Sequence, residues 1–232
     1  MEDLAPGTPG DQIAGCGISQ AELALTQLAH LHGSMWEKTS LADDNIVSRG
    51  GKDQTPTGEL YKALAIGFIE RYGEALTASE RNVISNLGSS IHNYLADSGE
   101  SKTLIHIDYR LDNMMFGGAY PLAVVDWQSC AFGCPLNDVS YFMGTSLNPK
   151  IRLEEETKLL RHYFDILKNY EVAIDWVTVS DLYQRYAPAG LVMAVIASMI
   201  VGETQRGNEM FLAMAKRSTQ MMLELDSLEV IS

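Results

Sequence analysis

The stretch T-L-I-H-I-D-Y-R-L-D-N-M-M-F, residues 103–116, sets a histidine, two aspartates, an arginine and an asparagine between apolar residues. The runs at 103–107 and 113–116, with a third at 122–127, are rich in Ile, Val, Leu, Met and Phe and are typical of short strands. A tight connection between two strands displays polar side chains on a rigid scaffold, which is how catalytic groups are usually mounted. We therefore expect the chemistry of this protein to lie on this connection.

The rest of the sequence is mostly helical in its periodicity. Apolar residues recur at helical spacing on both sides of the strand-rich region, and Ser-x-x-Glu from Ser19 and Thr-x-x-Glu from Thr77 are typical of helix starts. The predicted helices cover residues 19–36, 58–72, 77–96, 138–147, 152–170, 179–201 and 205–225. The sequence thus predicts an α+β fold that is mostly helical, with a small β-hairpin insert carrying the polar cluster.

Composition limits the classes of protein to consider. The 232 residues include 17 basic and 30 acidic ones, a formal net charge of -13, so no basic surface for nucleic acid or an anionic membrane is expected. Three cysteines are too few and odd in number for a disulfide framework, and residues 1–17 lack the composition of a secretory signal. The most apolar run, 187–202, is shorter than a bilayer requires and contains Pro188. We predict a cytoplasmic protein without a membrane span.

Three oxygen-bearing side chains form the informative set. Asp108 and Asn113 lie at the two ends of one loop, and Asp126 ends the next predicted strand, so a hairpin would bring all three within reach of one another. One amide and one carboxylate suit Mg²⁺, which takes few protein ligands and completes its shell with water and phosphate oxygens. The remaining carboxylate, Asp108, would then accept the proton of a hydroxyl that attacks a phosphoryl group. The alternative is that these residues bond only to their own backbone in turns, and Asp112 is expected to be a solvated loop carboxylate.

Longer patterns around this set carry a resemblance to a known family. H-x-D-x-x-x-x-N at residues 106–113, followed by V-V-D-W at 124–127, resembles the catalytic loop and metal-binding aspartate of the kinase-like phosphotransferases, which include aminoglycoside phosphotransferases and choline kinases. Within that family, DYRLDN…LAVVDWQ is most similar to the bacterial ecdysteroid-kinase-like branch. L-A-H-L-H-G-S-M-W (28–36) resembles the helix that opens the large lobe of these enzymes. C-P-L-N-D-V-S-Y (134–141) resembles the segment whose aspartate supports the catalytic loop.

The resemblance implies a role for each residue of the motif. It implies that Asp108 is the catalytic base and that Arg110 brings a positive charge near the transferred phosphate. It implies that Asn113 and Asp126 are magnesium ligands. It also implies that His106 and Asp138 are structural supports. The family usually has glycine between the histidine and the aspartate, so Ile107 is expected to tighten or shift the loop.

The first residues resemble the hinge by which the family joins its small nucleotide lobe to its large lobe. M-E-D-L at 1–4 carries this likeness, which implies that Glu2 and Leu4 contact the adenine of ATP. Residues 1–17 are then hinge and linker, residues 18–232 are the large catalytic lobe, and the small lobe is expected to be absent from this chain. On this interpretation Met1 is an internal methionine of a longer reading frame, and the 232 residues alone bind ATP weakly. A phosphate loop formed by the glycines of residues 7–17 is disfavoured, because no predicted strand flanks it and no lysine follows it.

The sequence therefore predicts an ATP- and Mg²⁺-dependent phosphotransferase that acts on a hydroxyl of a small molecule. A non-catalytic lobe retained as a binding module is the alternative, and a metal-dependent hydrolase using His106, Asp108 and Asp126 is a third hypothesis. The helices after Asp138 are apolar and rich in methionine, which favours either a lipophilic alcohol as acceptor or simple core packing. Loss of a lobe would also expose apolar surface and permit self-association.

Overall fold

A computed structural model describes residues 3–42, 47–48, 54–96 and 99–232, and these ranges contain helices and short strands. The helices are α1 (Ile18–Ser34), α2 (Thr55–Tyr72), α3 (Ala78–Leu95), α4 (Pro135–Ser146), α5 (Pro149–Leu167), α6 (Trp176–Tyr186), α7 (Ala189–Ile200), α8 (Gln205–Glu224) and α9 (Ser227–Val230). The strands are β1 (Thr8–Pro9), β2 (Val47–Ser48), β3 (Thr103–Ile105), β4 (Met114–Phe116), β5 (Leu122–Val124) and β6 (Ala131–Gly133). The mostly helical α+β architecture expected from the sequence is confirmed.

The strands form two small sheets, which the polar connection joins. In the first sheet, β1 and β5 both pair antiparallel with β4. In the second, β6 pairs antiparallel with β3 and parallel with β2. The chain passes from β3 to β4 through residues 106–113, so the catalytic-loop motif links one sheet to the other. The three predicted strands are confirmed. The sequence does not predict β6, or β1 and β2, whose two residues each are too few to show an alternating pattern.

Three helix boundaries can be compared with local sequence signals, and two of them are explained by those signals. Thr77 caps α3 as expected, because its hydroxyl accepts a hydrogen bond from the Glu80 backbone and the Glu80 carboxylate accepts one from the Thr77 backbone. The predicted helix 179–201 is divided into α6 and α7 at Ala187 and Pro188, since proline has no backbone N–H to continue a helix. The cap predicted at Ser19 is wrong: α1 begins at Ile18, and Gly17 precedes it without a side-chain cap.

Helix α4 lies in the middle of the core and is the element on which the site is mounted. Every residue from Pro135 to Ser146 is buried, and α4 packs against α1, α6, α7 and α8. The methionines of α8, namely Met210, Met214, Met221 and Met222, belong to the same core, and Met210 Sδ also accepts a hydrogen bond from Arg110 Nη1 at 2.7 Å. No helix in the described ranges is long and apolar enough to cross a lipid bilayer.

Candidate active site

Asp138 of α4 holds the start of the catalytic loop. Its carboxylate is fully buried and accepts two backbone hydrogen bonds, from His106 N at 2.6 Å and from Ile107 N at 2.9 Å. His32 of α1 lies on the other side of this carboxylate, with its Nε2 atom 3.6 Å from Asp138 Oδ2. A buried carboxylate is stabilised by hydrogen bonds from N–H groups, so α4 fixes the backbone two residues before Asp108.

Ile107 has the backbone conformation that explains why glycine suits this position. Its φ angle is +74°, in the left-handed region, where a residue with a Cβ atom loses about 1–2 kcal/mol. Two favourable contributions offset this cost. Its side chain is buried against Ile105, Ala131 and Met193, and its backbone N–H bonds to the charged Asp138, worth about 1.5–3 kcal/mol. Ile107 is therefore held in the left-handed conformation, and whether it tightens or shifts the loop relative to glycine stays a prediction.

Replacing Asp138 with asparagine is expected to lower the free energy of unfolding by about 1–3 kcal/mol. The amide keeps the shape of the side chain, but its NH₂ group would face a backbone N–H that now has an acceptor. Urea unfolding of the wild type and the variant measures the effect. Asp165→Asn on α5 is the matched control, since Asp165 is exposed and should change stability by less than about 0.5 kcal/mol. An equally small effect at Asp138 would contradict its supporting role.

The Asp108 carboxylate is held from three sides. Tyr141 of α4 donates its hydroxyl hydrogen to Oδ1 at 2.7 Å, and Asn113 Nδ2 donates to Oδ2 and to the Asp108 carbonyl, both at 2.9 Å. Arg110 Nε lies 2.9 Å from Oδ1 and 3.1 Å from Oδ2. The side chains of Asp108 and Arg110 are each 19% exposed. The structure thus brings Asp108, Arg110 and Asn113 together, as the motif predicts, and adds Tyr141, which the sequence does not single out.

Charge and burial explain the protonation states around Asp108. Burial and the neighbouring Asp108 carboxylate raise the pKa of Tyr141 well above its usual value, so the phenol stays protonated and acts as a donor. Burial alone would lower the pKa of Arg110, but Tyr141, Asp108 and Asp112 outweigh burial and raise it. Arg110 is therefore a permanent cation beside a carboxylate, and both can serve in phosphoryl-transfer chemistry.

Backbone hydrogen bonds place Asp126 close to Asp108 and its partners. Val125 N donates to the Asn113 carbonyl at 2.9 Å, and His106 Nε2 bonds to the Val125 carbonyl at 2.9 Å. His106 thus joins the start of the catalytic loop to the end of β5, which agrees with its expected supporting role. Asp126 has a φ angle of +64° and an exposed side chain. Among the described residues, no hydrogen-bond or ion-pair partner of the Asp126 carboxylate is found.

These donors fit a cation that takes few protein ligands. The Asn113 amide nitrogen is engaged with Asp108, so its oxygen is the atom left for a metal, and the Asp126 carboxylate offers the second ligand. The described part of the chain contains no group of three or more His, Cys, Asp or Glu side chains able to hold a metal. That excludes, for these residues, a zinc-type ligand set and weakens the hydrolase hypothesis. One amide and one carboxylate suit Mg²⁺.

Gln12 and Asp112 hold the end of the loop around residues 111–112. Sequence patterns do not predict the contacts that these two residues make. The fully buried Gln12 accepts from Leu111 N at 2.8 Å and donates from Nε2 to the Thr145 carbonyl at 2.9 Å. Asp112 accepts from Gln12 N at 2.9 Å and from both Nη atoms of Arg206 at 2.8 and 2.9 Å. The expectation that Asp112 is merely solvated is wrong. These partners lower the pKa of Asp112 although its partial burial acts in the opposite direction.

The predicted adenine contacts lie at the edge of the described chain. Glu2 falls outside the described residues. Leu4 is half-buried in the turn before β1, where its carbonyl accepts from Gly7 N at 2.8 Å, and β1 pairs with β4 directly after Asn113. Gly10 permits a close approach to the catalytic loop, because a Cβ atom there would lie 2.4 Å from the Leu111 carbonyl oxygen. The glycine at position 10 therefore serves packing, and adenine binding by Leu4 stays a prediction.

A cavity of about 210 Å³ is lined by Ile107 and by Tyr141, the hydrogen-bond partner of Asp108. Its walls come from the start of α2, the end of α3, the catalytic loop, α4 and α7, and most of them are apolar. The lining residues are Gln54, Thr57, Tyr94, Leu95, Ile107, Asn137, Tyr141, Ala189, Val192, Met193 and Ile196. Small-molecule sites are typically apolar cavities with a few polar groups, and this cavity has that composition.

Comparison with protein families places most of this chain in one of them. The model of the ecdysteroid kinase-like family matches residues 1–174, which include the catalytic-loop motif, Asp126 and α4. Two curated relatives are acyl-CoA dehydrogenase family member 11 of Gallus gallus, 34% identical over 98 residues, and of Rattus norvegicus, 28% identical over 130 residues. The matches cover 39% and 54% of this chain but 13% and 16% of the two relatives.

Solved structures share the fold. A choline kinase from Streptococcus pneumoniae superposes with a TM-score of 0.52 at 15% identity, covering 96% of this chain and 69% of the other. A candidate aminoglycoside phosphotransferase from Ralstonia eutropha superposes with a TM-score of 0.51 at 16% identity, covering 98% and 71%. The expected fold class, a lobe of the kinase-like phosphotransferase fold, is confirmed by these two similarities.

Proposed function

The chain belongs to the ecdysteroid kinase-like family, and on that basis we propose that it is the large lobe of a small-molecule kinase that transfers the γ-phosphate of ATP to a hydroxyl group. The observation that carries the proposal is the environment of Asp108. Its carboxylate is oriented by Tyr141 and Asn113. Asp126, whose carboxylate has no partner within the described ranges, follows the end of the adjoining strand. A base and a two-ligand cation site on one rigid hairpin are the parts that phosphoryl transfer requires.

Asp108 aligns the acceptor hydroxyl and takes its proton as the oxygen attacks the phosphorus. Tyr141 and Asn113 keep the carboxylate in one orientation, because each donates a hydrogen bond to a different oxygen. Asn113 and Asp126 would hold Mg²⁺, which neutralises phosphate charge when it is bound. These residues fit that ion in donor type and number, as argued above.

Arg110 changes partner during the reaction in this proposal. A carboxylate offers about four lone-pair sites, and Tyr141, Asn113 and the shared Arg110 Nε occupy them here. For Asp108 to accept the acceptor hydroxyl, one donor has to leave. Arg110 is the mobile candidate, since its guanidinium is the cation that the arriving phosphate attracts. Its present ion pair keeps that positive charge beside the reacting group.

The acceptor is proposed to be an apolar alcohol. Leu95, Val192, Met193 and Ile196 give the cavity an apolar wall. Tyr141 also lines it and bonds to the carboxylate that we propose takes the hydroxyl proton. Met193 is the one methionine of the helices after Asp138 that lines this cavity, among the described residues. The cavity favours the lipophilic-alcohol interpretation at this position, whereas the methionines of α8 serve the core.

The direct test is ADP formation at millimolar Mg-ATP, so that even a weak nucleotide site is filled. We expect 1-octanol to raise ADP formation several-fold above hydrolysis by water and glycerol to leave it unchanged, because glycerol gains little from an apolar cavity. EDTA should abolish the increase. The chain spans a small part of its curated relatives, so activity is proposed for the whole protein that contains this lobe. No increase with any apolar alcohol, or an increase that survives EDTA, would refute the proposal.

A further inference from the structure

Two faces of helix α4 make different contacts. Asp138 bonds to the catalytic loop, whereas Asn137 and Tyr141 both line the cavity beside it. Residues four apart on a helix lie on one face, about 6 Å from each other along the axis. Tyr141 touches Asp108 at one end of this face. Asn137 therefore lies one helical turn away from the reacting group, on the same cavity wall.

The Asn137 side chain is an amide on the cavity wall that has no hydrogen-bond partner among the described residues. Asn137 is 6% exposed, and its backbone N–H bonds to the Cys134 carbonyl at 3.1 Å. Its side-chain oxygen and nitrogen make no hydrogen bond to any residue that the structure describes. Since this amide lines the cavity, its N–H groups and its oxygen are available to a molecule that enters.

Two other polar groups of the cavity are engaged or less buried than Asn137. Tyr141 donates to Asp108, and the half-buried Gln54 accepts from Thr57 at 3.5 Å. The surroundings of Asn137 in this cavity include the apolar Leu95, Met193 and Ile196. The amide also lines a second, adjoining cavity, which shares Gln54, Tyr94, Leu95 and Asn137 with the first. Asn137 thus stands where the two spaces meet.

We propose that Asn137 binds a second oxygen of the acceptor, so that the substrate is an apolar molecule carrying one further hydroxyl or carbonyl besides the hydroxyl that receives phosphate. This inference rests on the proposed function, because it assumes that the cavity beside Asp108 takes the acceptor. An amide can donate to a carbonyl and both donate to and accept from a hydroxyl. A site that bonds such a group prefers molecules that carry it and still accepts, more weakly, those that lack it.

The test is a binding measurement without nucleotide, using 1-octanol and octane-1,4-diol as probes. Calorimetry on the wild type is expected to show the diol binding about tenfold more tightly than the mono-alcohol, the effect of one hydrogen bond in a dry site. Asn137→Leu keeps the volume and removes the polar atoms, so the two alcohols should bind it equally. Asn86→Leu on the exposed face of α3 is the matched control and should keep the preference.

Thermal unfolding separates recognition from a structural role. Removing an unsatisfied buried amide should raise the Tm of Asn137→Leu by about 2–4 °C, whereas loss of a structural hydrogen bond would lower it. Equal binding of both probes by the wild type, a diol preference that survives in Asn137→Leu, or no binding of either probe would overturn the inference. Because no phosphate transfer is measured, a diol preference in a protein that fails to form ADP would refute the proposed function and leave the binding result standing.

Discussion

Asp108→Asn is expected to lower kcat by a factor of about 10²–10⁴ while leaving the affinity for Mg-ADP within about threefold. An amide fills the same space, but it cannot take the proton of the acceptor hydroxyl. Tyr141 and Asn113 can both still bond to it, because Tyr141 can rotate its hydroxyl to accept from the amide NH₂. The loss should therefore fall on turnover rather than on binding. Steady-state kinetics with Mg-ATP and calorimetry with Mg-ADP measure the two quantities.

Asp181→Asn is the matched control for this substitution. Asp181 is an exposed carboxylate on α6, so its replacement makes the same change of charge far from the loop contacts of Asp108. We expect wild-type turnover from it. A variant Asp108→Asn that keeps more than about one tenth of wild-type kcat would show that another group accepts the proton. An unchanged Tm in Asp108→Asn is required for either conclusion.

Asp126→Asn is expected to weaken Mg-ADP binding by at least about tenfold. A neutral amide oxygen is a poorer ligand for Mg²⁺ than a carboxylate, and Asn113 is the other protein ligand in the proposed site. The fold should tolerate the change, because Asp126 is exposed and its carboxylate bonds to none of the described residues. Calorimetry of ADP binding with Mg²⁺ and with EDTA isolates the part of the affinity that the metal supplies.

Asp112→Asn gives the contrasting result that makes this prediction specific. Asp112 lies on the same loop, but its carboxylate is engaged by Gln12 and Arg206, so its replacement should lower stability and leave the Mg²⁺-dependent part of ADP binding in place. If Asp126→Asn abolished turnover with Mg-ADP binding intact, while Asp108→Asn lost the metal, the two assigned roles would be exchanged.

Part of this architecture is predictable from short stretches of sequence. The apolar runs around residues 103–116 predict strands, and a loop between them brings Asp108 and Asn113 into the hydrogen bond that the structure contains. Thr77 and Glu80 predict the start of α3 because a capping box depends on residues only three apart. The roles of His106 and Asp138 come from resemblance alone, since no local pattern shows which buried aspartate meets which backbone N–H. Their contacts agree with those roles.

The contacts that sequence patterns miss connect residues far apart in the chain. Gln12 reaches Leu111 across 99 positions and Arg206 reaches Asp112 across 94, and neither pair leaves a periodic signal. Tyr141 and Asn137 are hidden for another reason. They sit in a helix whose residues are all buried, where a polar side chain cannot be told from a packed one until the cavity beside it is seen. Short strands such as β1 escape detection because two residues carry no pattern.

The central claim is that this lobe moves a phosphoryl group to an alcohol through Asp108. The most direct measurement follows ³²P from γ-labelled ATP, at millimolar Mg-ATP, into a methanol extract of small molecules from cells that make the protein. The wild type is predicted to label at least one extractable compound in an alkaline-phosphatase-sensitive bond, and Asp108→Asn to reduce that label about 100-fold or more. No labelled small molecule with the wild type, or equal labelling by both proteins, would contradict the account.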